Sequence, residues 1–369
     1  MRIGIDATPL TYNLTGVGRY VFELCRHLPG IIPNAIFYLY SRDPIKNHPG
    51  PGNWICRHEA SSLWQRVAKN ALWLKMRCGS MANQDNVDVF WSPCFILPGG
   101  LRPNIRTVLT VHDLVVDLYP ETVLLSQIIR HKLFFKSDLT KCDVLVTNSA
   151  GTQKRIFEKY GRMAECVVKP GVSDHFCHRS MEEIDKCKKL FGIKGSYFLS
   201  VATLEPRKNL EVLVDAFLEL RASGRCFDYK LVLVGGMGWK NQSLLKKINN
   251  NVENGILPLG YVEDRWLPAL YSGAHLFIYP SSYEGFGMPV AEAIACGSRV
   301  VASDTMETKE AGGDSAFYVS PTKDEIIRKI LGIALIGDQG KIVNFPPYDW
   351  RWSEQARVLA RVFTGITLS

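Results

Sequence analysis

Short β-branched and aliphatic runs alternate along the chain with longer stretches whose apolar residues recur at helical spacing. Such alternation is the pattern of βαβ units built around a parallel sheet. It occurs twice. In the first half the predicted strands are Arg2–Asp6, Ala35–Tyr40, Val87–Trp91, Thr107–His112 and Val144–Asn148, with helices over Val17–Leu28, Leu63–Met76 and Ser126–Lys141. The second half repeats the rhythm with strands at Tyr197–Val201, Lys230–Val234, His275–Tyr279 and Arg299–Ala302, and helices at Asn209–Ala222, Leu244–Asn250 and Pro289–Cys296. Between the halves, Lys169–Ser180 opens on a Pro-Gly pair and then mixes polar and aromatic residues, which marks a connection. The expected fold class is α/β: two Rossmann-like doubly wound domains, residues 1–168 and 169–345, facing a cleft, with a last stretch, 346–369, containing a Trp-bearing helix at Asp349–Phe363.

Composition agrees and narrows the class. The 369 residues fit two domains at about 150 residues each, and 46% hydrophobic with 22% charged residues excludes disorder. The ten cysteines are never closer than ten positions, so there is no C-x-x-C pair and no small disulfide framework, which favours a reducing compartment. The opening MRIGIDATPL lacks the apolar run of a secretory signal. The charge-free stretch Trp266–Tyr283 is broken by Pro268, Gly273, His275 and Pro280, so no transmembrane helix is expected and the expected location is cytoplasmic.

The net charge of +8 is uneven, because residues 1–168 hold 20 Lys+Arg against 13 Asp+Glu and the remainder 24 against 23. A basic first half suits a phosphate-bearing partner, nucleic acid or an anionic membrane surface, or is an ordinary solvated face. Segment Trp64–Arg77 places Trp64, Leu72, Trp73 and Leu74 among Arg66, Lys69, Lys75 and Arg77. Two readings stand for it: contact with anionic lipid at the inner face of the plasma membrane, or a core-facing helix with a solvated side.

The most informative stretch is IYPSSYEGFGMPVAEAIACGSRVV, Ile278–Val301. A strand ends near Tyr279, a loop with Gly285 and Gly287 follows, Pro289 stands at a first helical position and Gly297 stops the helix. In open α/β sheets ligands bind beyond the carboxyl ends of the strands, which is where Glu284 falls. Gly287 permits close backbone approach, and the helix start at Phe286, Met288 and Pro289 suits a phosphate. Glu292, on the first turn, can accept hydrogen bonds from sugar hydroxyls. Capping or a solvated role is the plain alternative for both glutamates.

Other candidates lie at strand ends too. Arg207 and Lys208 follow the strand Tyr197–Val201, a planar fork beside a compact charge, suited to a diphosphate; alone, such a pair is usually a solvated face. Gly16 and Gly18 precede a helix after Asp6, where backbone amides can cradle an anion. As a dinucleotide fingerprint the run is incomplete, since Val21 replaces the third glycine. His112 could donate to a sugar hydroxyl or a phosphate oxygen, with Asp113 fixing its orientation, or serve structurally. His175 and His178 lack partner ligands in sequence and read as surface residues. No D-x-D sequence occurs, so metal-bridged diphosphate binding is not expected.

These residues resemble the retaining glycosyltransferases of family 4, which have the two-domain GT-B architecture. The likeness runs through TGVGRY at the start, His112-Asp113, EPRKN at Glu205–Asn209, LGYV at Leu259–Val262 and EGFGMPVAEAIACG. TGVGRY, HDL before a YPE segment and TLEPRKN are similar to mannosyltransferases that build bacterial surface polysaccharides such as O-antigen. The resemblance implies a nucleotide-sugar donor, GDP-mannose first, no further cofactor, no nucleic acid, and a glycan or lipid-linked glycan acceptor. It implies that Glu284 contacts the transferred hexose, Glu292 the ribose, Arg207 and Lys208 the diphosphate, Gly16 the same group, His112 the donor sugar and Tyr261 the base. It also implies that the last helix crosses back to the first domain. Many members carry an arginine where this chain has Ala202 and Thr203. The chemistry expected is transfer with retention, dominated by leaving-group stabilisation. A sugar-nucleotide epimerase and a nicotinamide-dependent oxidoreductase are the rivals.

Overall fold

Every strand among the described residues pairs parallel to its neighbours, in two sheets that open to helices on both faces. The structure is a computed structural model and describes residues 1–14, 16–59, 70–335 and 350–365. The first sheet contains β1 (Arg2–Asp6), β2 (Ile36–Ser41), β3 (Trp54–His58), β4 (Val89–Ser92), β5 (Arg106–Val111), β6 (Val144–Thr147) and β7 (Cys166–Val167), in the order β3-β2-β1-β4-β5-β6-β7. The second contains β8 (Tyr197–Val201), β9 (Lys230–Val234), β10 (Ile256–Gly260), β11 (Leu276–Tyr279), β12 (Val300–Ser303) and β13 (Ala316–Val319), in the order β10-β9-β8-β11-β12-β13. Each sheet reverses direction of growth beside its first strand, between β1 and β4 and between β8 and β11, creating the crevice where doubly wound sheets take their ligands.

The chain forms two compact units. One takes in Met1–Val116, Leu125–Gly171 and Asp349–Ser369; the other Asp117–Leu124 and Val172–Tyr348. In the first unit the helix Trp352–Thr364 packs on the helix Gly16–Ile31. The seat is tight: a side chain on Gly171 would place its first carbon 2.6 Å from the Trp352 amide nitrogen. Gln355 accepts the Lys169 amide at 2.8 Å, and Trp91 and Phe363 pack at 5.9 Å between ring centres. The second core is built from β8, β9, β11 and β12 with the helix Leu210–Ala222 and the helix Met288–Ala295 around them.

Local chemistry sets the helix ends. Ser149 caps Ala150–Tyr160 by accepting the Thr152 amide at 3.0 Å, and Gly161 ends that helix in the left-handed conformation. Ser180 and Glu183 form a reciprocal capping box on Met181–Leu190.

The stretch proposed for lipid contact resolves in favour of its second reading over the part described. Trp73 and Leu74 are buried, Lys75 is paired with Asp138 at 2.6 Å and Arg77 with Glu59 at 3.3 Å. Residues 63–69 of the predicted helix, with Trp64, Arg66 and Lys69, lie outside the described residues. No helix of the described residues is long and apolar enough to cross a membrane.

Candidate active site

At the reversal point of the second sheet, the loops after β8 and β11 bring two carboxylates and two cations together. Glu284 is buried, and both of its oxygens are engaged. Oε1 accepts from Lys208 Nζ at 2.6 Å, from the Tyr279 hydroxyl at 2.8 Å and from the Ser281 hydroxyl, while Oε2 accepts from Arg207 at 2.9 Å. Burial alone would push this carboxyl up, but the Arg207 and Lys208 charges and these hydrogen bonds outweigh it and hold the group down at about 2. It is ionised at any physiological pH. Burial draws the Lys208 ammonium below its ordinary range even with Glu284 beside it.

The two cations do different work. Arg207 donates to Glu205 at 2.6 Å, to the Tyr283 carbonyl at 2.7 Å and to Glu284. Three of its five donors therefore brace the loop after β11. Glu205, Arg207, Lys208 and Glu284 together carry no net charge. Lys208 directs two of its three donors at Tyr279 and Glu284, leaving one for a ligand. Asn209 follows at φ 53°, and its side-chain amide ties the loop to the Pro280 and Pro321 carbonyls.

Gly287 caps the helix Met288–Ala295 at φ 104°. Its glycine is required by that angle rather than by crowding, since an added carbon would meet only ordinary contacts at 3.5 Å. The Phe286 side chain is packed into the core, so any ligand contact falls to its main chain, and Met288 is partly buried beside it. Glu292 is buried and accepts the Tyr271 hydroxyl at 3.2 Å.

A cavity of about 440 Å³ opens at the carboxyl ends of β9 and β10, lined by Leu204, Gly235, Gly236, Met237, Pro258, Tyr261 and neighbours. Its wall depends on backbone approach: at Gly235, φ 148°, an added carbon would stand 1.9 Å from the Ala202 oxygen. Tyr261 is 63% exposed at its rim. Leu204 lines this cavity and Glu205 next to it belongs to the charged cluster, so the two are contiguous.

In the first unit, His112 directly follows β5 and is buried, edge-on to Tyr20 with centres 4.9 Å apart. Its Nε2 lies 2.7 Å from the Pro93 carbonyl. A carbonyl only accepts, so Nε2 carries the proton; burial lowers the imidazole below its ordinary value, and the neutral ring leaves Nδ1 as an acceptor. This corrects two expectations. The ring can accept from a sugar hydroxyl but does not donate to a phosphate, and Pro93 rather than Asp113 orients it. Asp113 instead accepts the Val115 amide at 3.0 Å. Gly16 opens the first helix with open space where a side chain would stand, whereas Gly18 is packed against the Pro9 carbonyl.

Comparison with known proteins decides the family. Residues 14–175 match Glycosyltransferase Family 4, and residues 195–334 match Glycosyl transferases group 1. The chain belongs to the family 4 glycosyltransferases. It is similar to O-antigen chain mannosyltransferase B of Escherichia coli, 29% identical over 347 residues, which cover 89% of this chain and 88% of that one. Its fold matches WaaG, a glycosyltransferase involved in lipopolysaccharide biosynthesis (TM-score 0.68, 16% identity, 98% and 95% of the chains covered). It also matches Anabaena HepE in complex with UDP and glucose (TM-score 0.64, 18% identity, 98% and 94% covered). The fold is GT-B and the protein an enzyme of glycosyl transfer; the nicotinamide reading falls away.

Glu205, Tyr279, Ser281 and Tyr271 were not singled out from the sequence. The only signal was position: Glu205 opens EPRKN, and Tyr279 and Ser281 stand at the end of β11.

Proposed function

We propose that this glycosyltransferase moves mannose from GDP-mannose, with retention, to a glycan or lipid-linked glycan acceptor in the assembly of a surface polysaccharide. The observation that carries the reading is the Glu284–Lys208–Arg207 cluster at the reversal point of the second sheet, contiguous with a cavity of the size that takes a nucleobase. In this reading Lys208 and the amides at Gly287 and Met288 meet the diphosphate, Glu292 binds the ribose and Tyr261 borders the base. His112 and Asp113 belong to the donor-sugar side. Glu284 orients the hexose while Arg207 holds Glu284 in place. Mannose is favoured by the name of the E. coli relative. Thermal shift against a panel of sugar nucleotides, followed by transfer assays with a chelator present, tests this. GDP-mannose should raise the melting temperature most, and transfer should survive the chelator. A changed sugar with no acceptor present would point instead to an epimerase.

Peripheral contact with an anionic membrane is part of the proposal, and it rests on a surface other than the one read from the sequence. In Leu125–Lys141, Leu125, Ile129 and Leu133 are 71%, 50% and 64% exposed at helical spacing. Arg130, Lys132 and Lys136 are exposed beside them, and the acid in that stretch, Asp138, is buried against Lys75. Cosedimentation with anionic vesicles should fall steeply as salt rises, and Leu133→Ser should weaken it at low salt; equal binding by that variant overturns the assignment.

A further inference from the structure

We propose that Tyr119 is a positioning residue, seating the loop that presents Glu284 through a strap, Asp117–Leu124, which belongs to the second unit although it follows β5 in the chain. The inference rests on the donor-site reading above. The Tyr119 ring stacks on Tyr283 with centres 5.5 Å apart and planes 22° apart, and its hydroxyl donates to the Ser282 carbonyl at 3.4 Å. Tyr283 is 1% exposed.

From the other side Arg207 receives the Ser282 amide on its carbonyl at 2.9 Å and donates to the Tyr283 carbonyl. Residues 282–284 are thus held between the Arg207 loop and the strap. The strap grips the second donor-site loop as well. The Trp239 indole donates to the Thr122 carbonyl and Lys240 to the Glu121 carbonyl, and the pair follows Gly235–Met237 of the cavity wall after one glycine. Within the strap, Pro120 and the Thr122 hydroxyl, which donates to the Tyr119 carbonyl at 2.7 Å, stiffen the turn. One short segment therefore ties the loop lining the cavity to the loop carrying Glu284.

An aromatic stack of this kind is worth roughly three- to tenfold in an equilibrium constant. Tyr119→Ala should accordingly raise the dissociation constant for GDP and the KM for the donor by about that factor, with acceptor KM unchanged. Tyr119→Phe, which keeps the stack, should return both to near the wild-type values. Trp239→Phe, which removes only the indole donor, should move donor KM in the same direction, and serves if Tyr119→Ala folds poorly. Adding Tyr283→Ala to Tyr119→Ala should cost less than the two changes taken separately. Donor KM within twofold of wild type in both Tyr119→Ala and Trp239→Phe, or a Tyr119→Phe enzyme as impaired as Tyr119→Ala, overturns the proposal. Lys208→Ala is the control for the underlying reading. If it leaves GDP binding intact, the donor site is misplaced; if it weakens GDP and the strap variants do not, only the strap fails.

Discussion

Lys208→Ala is expected to lower transfer by roughly 10²–10³-fold while leaving the melting temperature close to that of the wild type. The departing diphosphate carries charge that must be met at the moment of bond cleavage. In the cluster Lys208 brings a compact ammonium with one donor beyond those given to Tyr279 and Glu284, while Arg207 spends three donors on Glu205, Glu284 and the Tyr283 carbonyl. The fold tolerates the loss because Glu284 keeps Arg207, Tyr279 and Ser281 as partners. Lys208→Arg should not restore the rate, for a planar fork cannot occupy the place of a compact ammonium that touches Tyr279 and Glu284 at 2.9 and 2.6 Å. Steady-state transfer with saturating acceptor, beside a melting curve, decides it; turnover within threefold of wild type would remove Lys208 from the diphosphate.

Glu284→Ala should cost stability as well as activity, about 3–5 kcal/mol, because it leaves two partly buried cations with Glu205 as their single carboxylate in the cluster. The sign of the pH dependence follows from the lowered carboxyl. Its folded value near 2 lies below the ordinary 4.5, so the unfolded chain binds the proton more tightly. The stabilisation is complete above the ordinary value and is lost as pH falls from there through about 2. The gap between wild type and Glu284→Gln in denaturant midpoint should therefore narrow steadily between pH 5 and pH 2. A gap that stays constant over that range would mean the carboxylate is not held by its cations.

The strands legible in the sequence and those that were not divide along a physical line. The nine predicted strands correspond to β1, β2, β4, β5, β6, β8, β9, β11 and β12, which all have a strand on either side. Buried on both faces, they read as continuous apolar runs. The missed strands, β3, β7, β10 and β13, are the four sheet edges. Cys56, Arg57 and His58 of β3 are exposed, and Pro258 interrupts β10 at a position where an edge strand can lack an amide donor. At the site, glycines, a proline and strand ends marked Glu284, Gly287 and Lys208, because backbone conformation leaves its trace in residue type.

What the sequence determined by itself is the doubly wound α/β class, the family and the strand ends that carry the charged residues, since periodicity and turn chemistry are local properties. Which partner each charged group takes was decided only by the tertiary structure. Arg207 and Glu284 are 77 positions apart, His112 and Pro93 are 19 apart, and Tyr119 reaches Ser282 across 163. Hydrogen bonds across such separations depend on how strands are ordered in the sheet and where loops return, and no local pattern encodes that.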